Sequence, residues 1–170
     1  MNIFLIGFMG SGKSTIGKKL ANRLGYTFPD MDREIESEQQ KSIAQIFKEQ
    51  GENYFRALES DWLKKFNQPQ TVISTGGGTP CFHNNIEIMK SKGKTVFLDV
   101  SPEVLSNRLF NAKQARPLLE NYIHNQENLK NYIAQKLSER LPVYQLSDIQ
   151  LNVADFNSQK LDELVNAVQK

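Results

Sequence analysis

Residues 7–15 read GFMGSGKST and follow a short apolar run, NIFLI, at residues 2–6. Strand, glycine-rich turn, lysine and hydroxyl in this order leave few folds open, because the turn must bend its own amides inward before a helix begins. Gly7, Gly12, Lys13 and Ser14 fill the pattern G-x-x-x-x-G-K-[ST]. Without Cβ atoms in the way, successive N–H groups can surround phosphate oxygens. Lys13 can reach the β- and γ-phosphates of a nucleotide, and the Ser14 hydroxyl can ligate Mg²⁺. Gly10, Ser11 and Thr15 belong to the same nucleotide-binding set, and the helix that follows points its positive end at the same anions. A chance match somewhere in a chain this long has a probability of roughly 0.6%.

The rest of the chain alternates. Strand-like runs lie at Asn2–Ile6, Tyr26–Pro29, Thr71–Thr75, Lys94–Val100 and Ile149–Val153. Helical patterns lie at Lys13–Leu24, Ser42–Gln50, Glu52–Phe66, Asn85–Lys92, Pro102–Phe110, Gln126–Arg140 and Ser158–Gln169. Such alternation predicts an α/β fold, a mostly parallel sheet with helices on both faces. A length of 170 residues fits one domain with a real core. Twenty-one basic against 19 acidic residues is too even a balance to point to nucleic acid. Cys81 is the single cysteine, so a disulfide framework is excluded and a reducing, cytoplasmic setting is expected. The N-terminal MNIFLIGFMG lacks the basic start of a signal peptide, and no apolar run reaches the ~20 residues of a membrane span.

Three other stretches carry chemistry. FPDMDRE places Asp30 and Asp32 after the second strand-like run, on the sheet rim where ligands of open α/β folds sit. Either aspartate can instead cap the next helix. STGGGTP puts Gly76, Gly77 and Gly78 at the end of the third run, where a backbone must approach something closely or simply turn. Arg56 can pair with Glu52 or Glu59 at helical spacing, worth only ~0.2–0.5 kcal/mol, or can recognise a carboxylate. Arg140, just before Pro142, complements a helix end or does the same. Arg116 lies in a poorly periodic segment, NAKQARPLLENY, either as a solvated charge or as a cation that closes over phosphates. His83 and His124 lack metal-ligand spacing, Cys81 reads as an incidental thiol, and Phe55, Trp62 and Phe66 read as core.

The ordered set GFMGSGKST, DMD, FR, TGGG, RPLL and ERLPVY resembles shikimate kinase, in the nucleoside monophosphate kinase branch of P-loop proteins, over essentially the whole chain. The resemblance implies one kinase domain over residues 1–170, with its phosphate loop at 7–15, a substrate-binding region at about 32–60 and a mobile lid at about 111–122. It implies a three-layer α/β/α fold with five parallel strands in the order 2-3-1-4-5. It also implies ATP-dependent phosphorylation of the 3-hydroxyl of shikimate, in aromatic amino-acid precursor synthesis, by a monomer with no nucleic-acid or membrane partner. By the same resemblance Ser14 and Asp30 hold Mg²⁺, and Asp32 bonds the substrate hydroxyls. Arg56, Arg140 and the backbone of Gly76–Gly78 take the substrate, while Lys13 and Arg116 neutralise the transferring phosphoryl group. Arg108 and the segment NVADFN frame adenine. The rival readings are a gluconate or nucleoside monophosphate kinase of the same fold, and a non-catalytic binding module.

Overall fold

A computed structural model describes residues 1–112, 119, 121, 122 and 124–170. Strand β1 (Asn2–Ile6) is buried along its whole length. A strand without a polar face is stable only between two covering layers. It pairs in parallel with β2 (Val72–Ser74) on one side and β3 (Gly93–Asp99) on the other, and β3 pairs in parallel with β4 (Ile149–Asn152). The sheet order is β2-β1-β3-β4. The helices are α1 (Lys13–Leu24), α2 (Met31–Gln39), α3 (Ile43–Gln50), α4 (Glu52–Lys65), α5 (Asn85–Lys92), α6 (Pro102–Phe110), α7 (Gln126–Tyr144) and α8 (Ser158–Gln169), with a 3₁₀ turn at Thr79–Cys81. After β1 the chain builds outward on one side of the sheet and then, from β3, on the other. This puts a topological switch point at β1, whose carboxyl end is where a ligand crevice opens.

Among the described residues four strands form, not the expected five. The segment Tyr26–Pro29 and the residue after it make isolated parallel bridges only, with Thr27 opposite Thr71 and Asp30 opposite Ser74. The Thr27 N–H donates to the Gln70 carbonyl at 3.1 Å, and the Pro29 carbonyl accepts from the Ser74 N–H at 3.2 Å. Pro29 has no N–H to return, and Asp30 already turns into α2, so the ladder stops. Helix α2 is a second departure from expectation. Met31 and Ile35 are the two apolar residues of MDREIESEQ, too few to show a helical stripe, yet both are buried. Helix α7 also continues through the exposed Pro142 to Tyr144, which leaves Arg140 one turn before the last residue.

Packing explains two glycines that propensity alone would disfavour. Gly17 lies inside α1, where glycine costs about 1 kcal/mol relative to alanine. A Cβ there would sit 2.8 Å from Leu5 Cδ1 and closer still to the Phe28 ring, so the helix rests directly on β1. Gly93 joins α5 to β3 with no loop, and a Cβ on it would meet the Asn2 carbonyl. The core spans both faces of the sheet and includes Phe55 and Trp62, with Trp62 stacked on Phe66 at 4.8 Å. Among the described residues no helix is long and apolar enough to cross a membrane.

Candidate active site

The loop between β1 and α1 turns inward through three glycines with positive φ: Gly7 (+155°), Gly10 (+82°) and Gly12 (+98°). A side chain at these angles is strained, which accounts for glycine at all three positions, two of them fixed by the motif. The Lys13 ammonium donates to the Gly7 carbonyl at 2.7 Å and to the Phe8 carbonyl at 3.1 Å, tethering the charge to the loop. Arg108 on α6 donates to the Gly10 carbonyl at 3.0 Å. A cavity of about 790 Å³ opens over the loop. Residues 9–15 line it together with Asp30, Asp32, Gly76, Gly77, Arg108, Val153 and Phe156.

Beside the loop, Asp30 caps α2 and accepts from the Arg33 N–H at 3.4 Å. The capping alternative for Asp30 is therefore realised. Asp32 follows in the first turn of α2, half-buried, and its Oδ1 has no hydrogen-bond partner among the described residues. Burial pushes its carboxyl up to about 6. Glu59, Asp30 and Glu36 add to that rise and Lys13 opposes it. Such a carboxylate is ionised at neutral pH yet basic enough to accept a proton.

The three glycines after β2 each face a charged group. A Cβ on Gly76 would lie 2.7 Å from Glu59 Oε1 and 3.0 Å from Asp32 Oδ1. One on Gly77 would lie 3.3 Å from Arg140 Nη1, and one on Gly78 would lie 2.6 Å from Arg56 Nη2. The turn is thus bare because side chains from α2, α4 and α7 crowd against it. Asp32, Arg56 and Arg140, separated by up to 108 positions in the chain (140 less 32), converge there.

Arg56 is almost wholly buried. Its Nη1 bonds Glu59 Oε2 at 2.8 Å, while Nε and Nη2 bond Glu52 Oε1 at 3.1 and 2.8 Å. Of five guanidinium N–H groups, these use three and leave one on each terminal nitrogen. The Glu59 side chain is fully buried and also accepts from the Thr79 hydroxyl. Burial raises its carboxyl above the ordinary range, and Arg56 opposes that rise. Spacing along the helix placed Glu59 only as a possible surface partner. Its burial, the Thr79 bond and the bond from the Tyr144 hydroxyl to the Gly77 carbonyl had no sequence signal. The Arg140 guanidinium lies 5.2 Å from the Phe8 ring centre, and its Nη1 is buried with no hydrogen-bond partner among the described residues. Arg56, Gly78 and Arg140 do not line the 790 Å³ cavity; they adjoin it at the glycine turn. Arg116 lies outside the described residues, as do positions 113–118, 120 and 123 in and beside the expected lid.

Among the described residues no cluster of three or more His, Cys, Asp or Glu could cage a metal. The Ser14 hydroxyl and the Asp30 carboxylate face the same cavity as the loop. A few hard oxygens beside a phosphate site suit Mg²⁺, which keeps waters and phosphate oxygens in its shell.

A glycine-rich loop with its lysine lines one cleft, and an acid and two guanidinium groups meet at the glycine turn that adjoins it. That arrangement, on this sheet, defines a phosphotransferase of the P-loop kind. The family model for shikimate kinase matches residues 9–169, and the chain belongs to the shikimate kinase family. It is 40% identical over 170 residues to the shikimate kinase of Parabacteroides distasonis, covering 99% of this chain and 97% of that protein. The shikimate kinase structure from Bacteroides thetaiotaomicron superposes with a TM-score of 0.87 at 40% identity, covering 99% of this chain and 96% of that one. That of Acinetobacter baumannii shikimate kinase, in complex with shikimate, gives 0.82 at 32% identity, covering 99% and 90%.

Proposed function

We propose that the chain transfers the γ-phosphoryl group of ATP to the 3-hydroxyl of shikimate, giving shikimate 3-phosphate and ADP in the synthesis of aromatic precursors. The observation that carries this reading is the convergence of Asp32, Arg56 and Arg140 on Gly76–Gly78 beside the phosphate loop. A polyhydroxylated carboxylate needs both kinds of group: an acceptor for its hydroxyls and paired guanidinium donors for its acid.

Phosphoryl transfer asks a protein mainly for alignment and charge stabilisation. The loop amides and Lys13 hold the phosphates, and Arg116 supplies a second cation over the transferring group. Arg140 and the two N–H groups of Arg56 that make no bond among the described residues hold the acceptor's carboxylate. Asp32 accepts a hydrogen bond from the reacting hydroxyl and takes its proton as the oxygen–phosphorus bond forms. Ser14 and Asp30 would hold Mg²⁺, which supplies neutralisation of the phosphate charge when bound. Arg108, Val153 and Phe156 form the side of the cavity where adenine lies. Water is the competing acceptor, and a lid over residues 111–122 would exclude it.

An ADP-release assay with shikimate, gluconate, CMP and AMP as acceptors tests the assignment. Turnover with shikimate alone is expected. Turnover with gluconate or a nucleotide but not shikimate would overturn it, and ATP binding without any turnover would favour a non-catalytic module.

A further inference from the structure

We infer that Tyr144 is a positioning residue for the acceptor's carboxylate, its buried hydroxyl binding the Gly77 carbonyl and so fixing the end of α7 that carries Arg140 against the glycine turn. The inference rests on the proposed acceptor and extends it to a group outside the ligand-facing set. Tyr144 is the last residue of α7, one turn beyond Arg140. It is fully buried, with its ring 5.1 Å from that of Phe97 on β3. A ring in that place packs as well without a hydroxyl; phenylalanine would serve a purely apolar role.

The hydroxyl instead donates to Gly77 O, on the turn that lines the cavity. The same glycine has Arg140 Nη1 3.3 Å from the place its Cβ would occupy. One residue of the turn is therefore met from α7 at two points a helical turn apart, by a hydroxyl bonded to its carbonyl and by a guanidinium that occupies the space a side chain on it would need. Buried hydroxyls and carbonyls require partners, and here each satisfies the other. Burial pushes the phenol up to about 12, with Arg140 opposing, so the O–H remains a donor throughout the neutral range. Without that bond α7 can shift along the turn, and Arg140, whose Nη1 makes no hydrogen bond among the described residues, shifts with it.

Tyr144→Phe keeps the ring and deletes the bond. It should raise KM for shikimate roughly fivefold to tenfold, the usual effect of losing one buried hydrogen bond. KM for ATP should not change. In an Arg140→Ala background the same substitution should add no further rise, because the group being positioned is gone. An unchanged KM for shikimate, an equal rise for both substrates, or full additivity with Arg140→Ala would each overturn the role. Wild-type turnover of shikimate is the control: its absence rejects the proposed acceptor, whereas turnover with an unshifted variant rejects only the part given to Tyr144. Should the variant not fold, ¹³Cζ-tyrosine NMR of the wild-type protein decides. Shikimate without nucleotide should move the Tyr144 resonance and MgATP alone should not; no movement with shikimate overturns the inference.

Discussion

At the phosphate loop, the cavity is lined by one run of consecutive residues, 9–15, with one lysine among them. At the glycine turn, side chains from α2, α4 and α7 are brought together across most of the chain. Glycines occur at both ends for opposite reasons. In the loop they permit positive φ, so that main chain can wrap an anion. In the turn they leave room for the side chains of other elements. On the proposed function, a nucleotide tail is bound by a short local device that many chains can share, and an acceptor by an assembly that depends on the whole fold.

The largest effect that would sharpen this contrast is at Asp32. Asp32→Asn should lower kcat about 10²- to 10⁴-fold, the range for a general base, without raising KM for ATP. Its stability should move the other way. With a folded-state carboxyl near 6 against an ordinary 3.8, the native state binds the extra proton between those values. The wild-type protein therefore loses stability as pH rises from about 4 to about 6. Melting curves should show the variant more stable at pH 7–8, with the gap closing by pH 4. An equal gap at both pH values would mean that Asp32 is not held against its own ionisation.

Glu59 tests whether the acceptor end depends on buried charge. Glu59→Gln leaves the buried Arg56 balanced by the exposed Glu52 alone and should cost about 3–5 kcal/mol in urea unfolding. A loss below ~1 kcal/mol would place the pair among ordinary surface bridges.

A pair of alanine substitutions separates the two uses of glycine. Gly12→Ala, at φ +98°, should weaken ATP by ~1–2 kcal/mol, or about tenfold, and spare shikimate. Gly78→Ala should do the reverse, because the new methyl meets Arg56 where Glu52 and Glu59 pin it. Loss of both ligands in either variant would break the comparison. The smallest effect is expected at the exposed Arg23–Asp162 pair joining α1 and α8, where Asp162→Asn should change stability by less than ~1 kcal/mol and alter neither KM.

What could be read beforehand follows the same divide. The phosphate loop and its flanking strand and helix are local patterns, and the structure has them where periodicity put them. The acidic and cationic residues of the acceptor wall were visible as residue types, but helical spacing alone left Arg56 and Arg140 between helix-surface and ligand roles. Only packing shows that Glu59 is buried and that Tyr144 reaches Gly77. The edge strand failed at Pro29, where a missing donor outweighed strand character. Helix α2 escaped notice because its cap and two apolar residues make a weak pattern that tertiary contact completes. The resemblance to a family supplied the roles that spacing could not.

The separation of the two ends is most directly tested by titration calorimetry of Arg140→Ala with each ligand in turn. Shikimate affinity should fall by about tenfold to a hundredfold, the usual loss of a hydrogen-bonded charge, while ATP affinity stays at the wild-type value. Equal weakening of both ligands would show that Arg140 braces the fold and that the two ends are not independent.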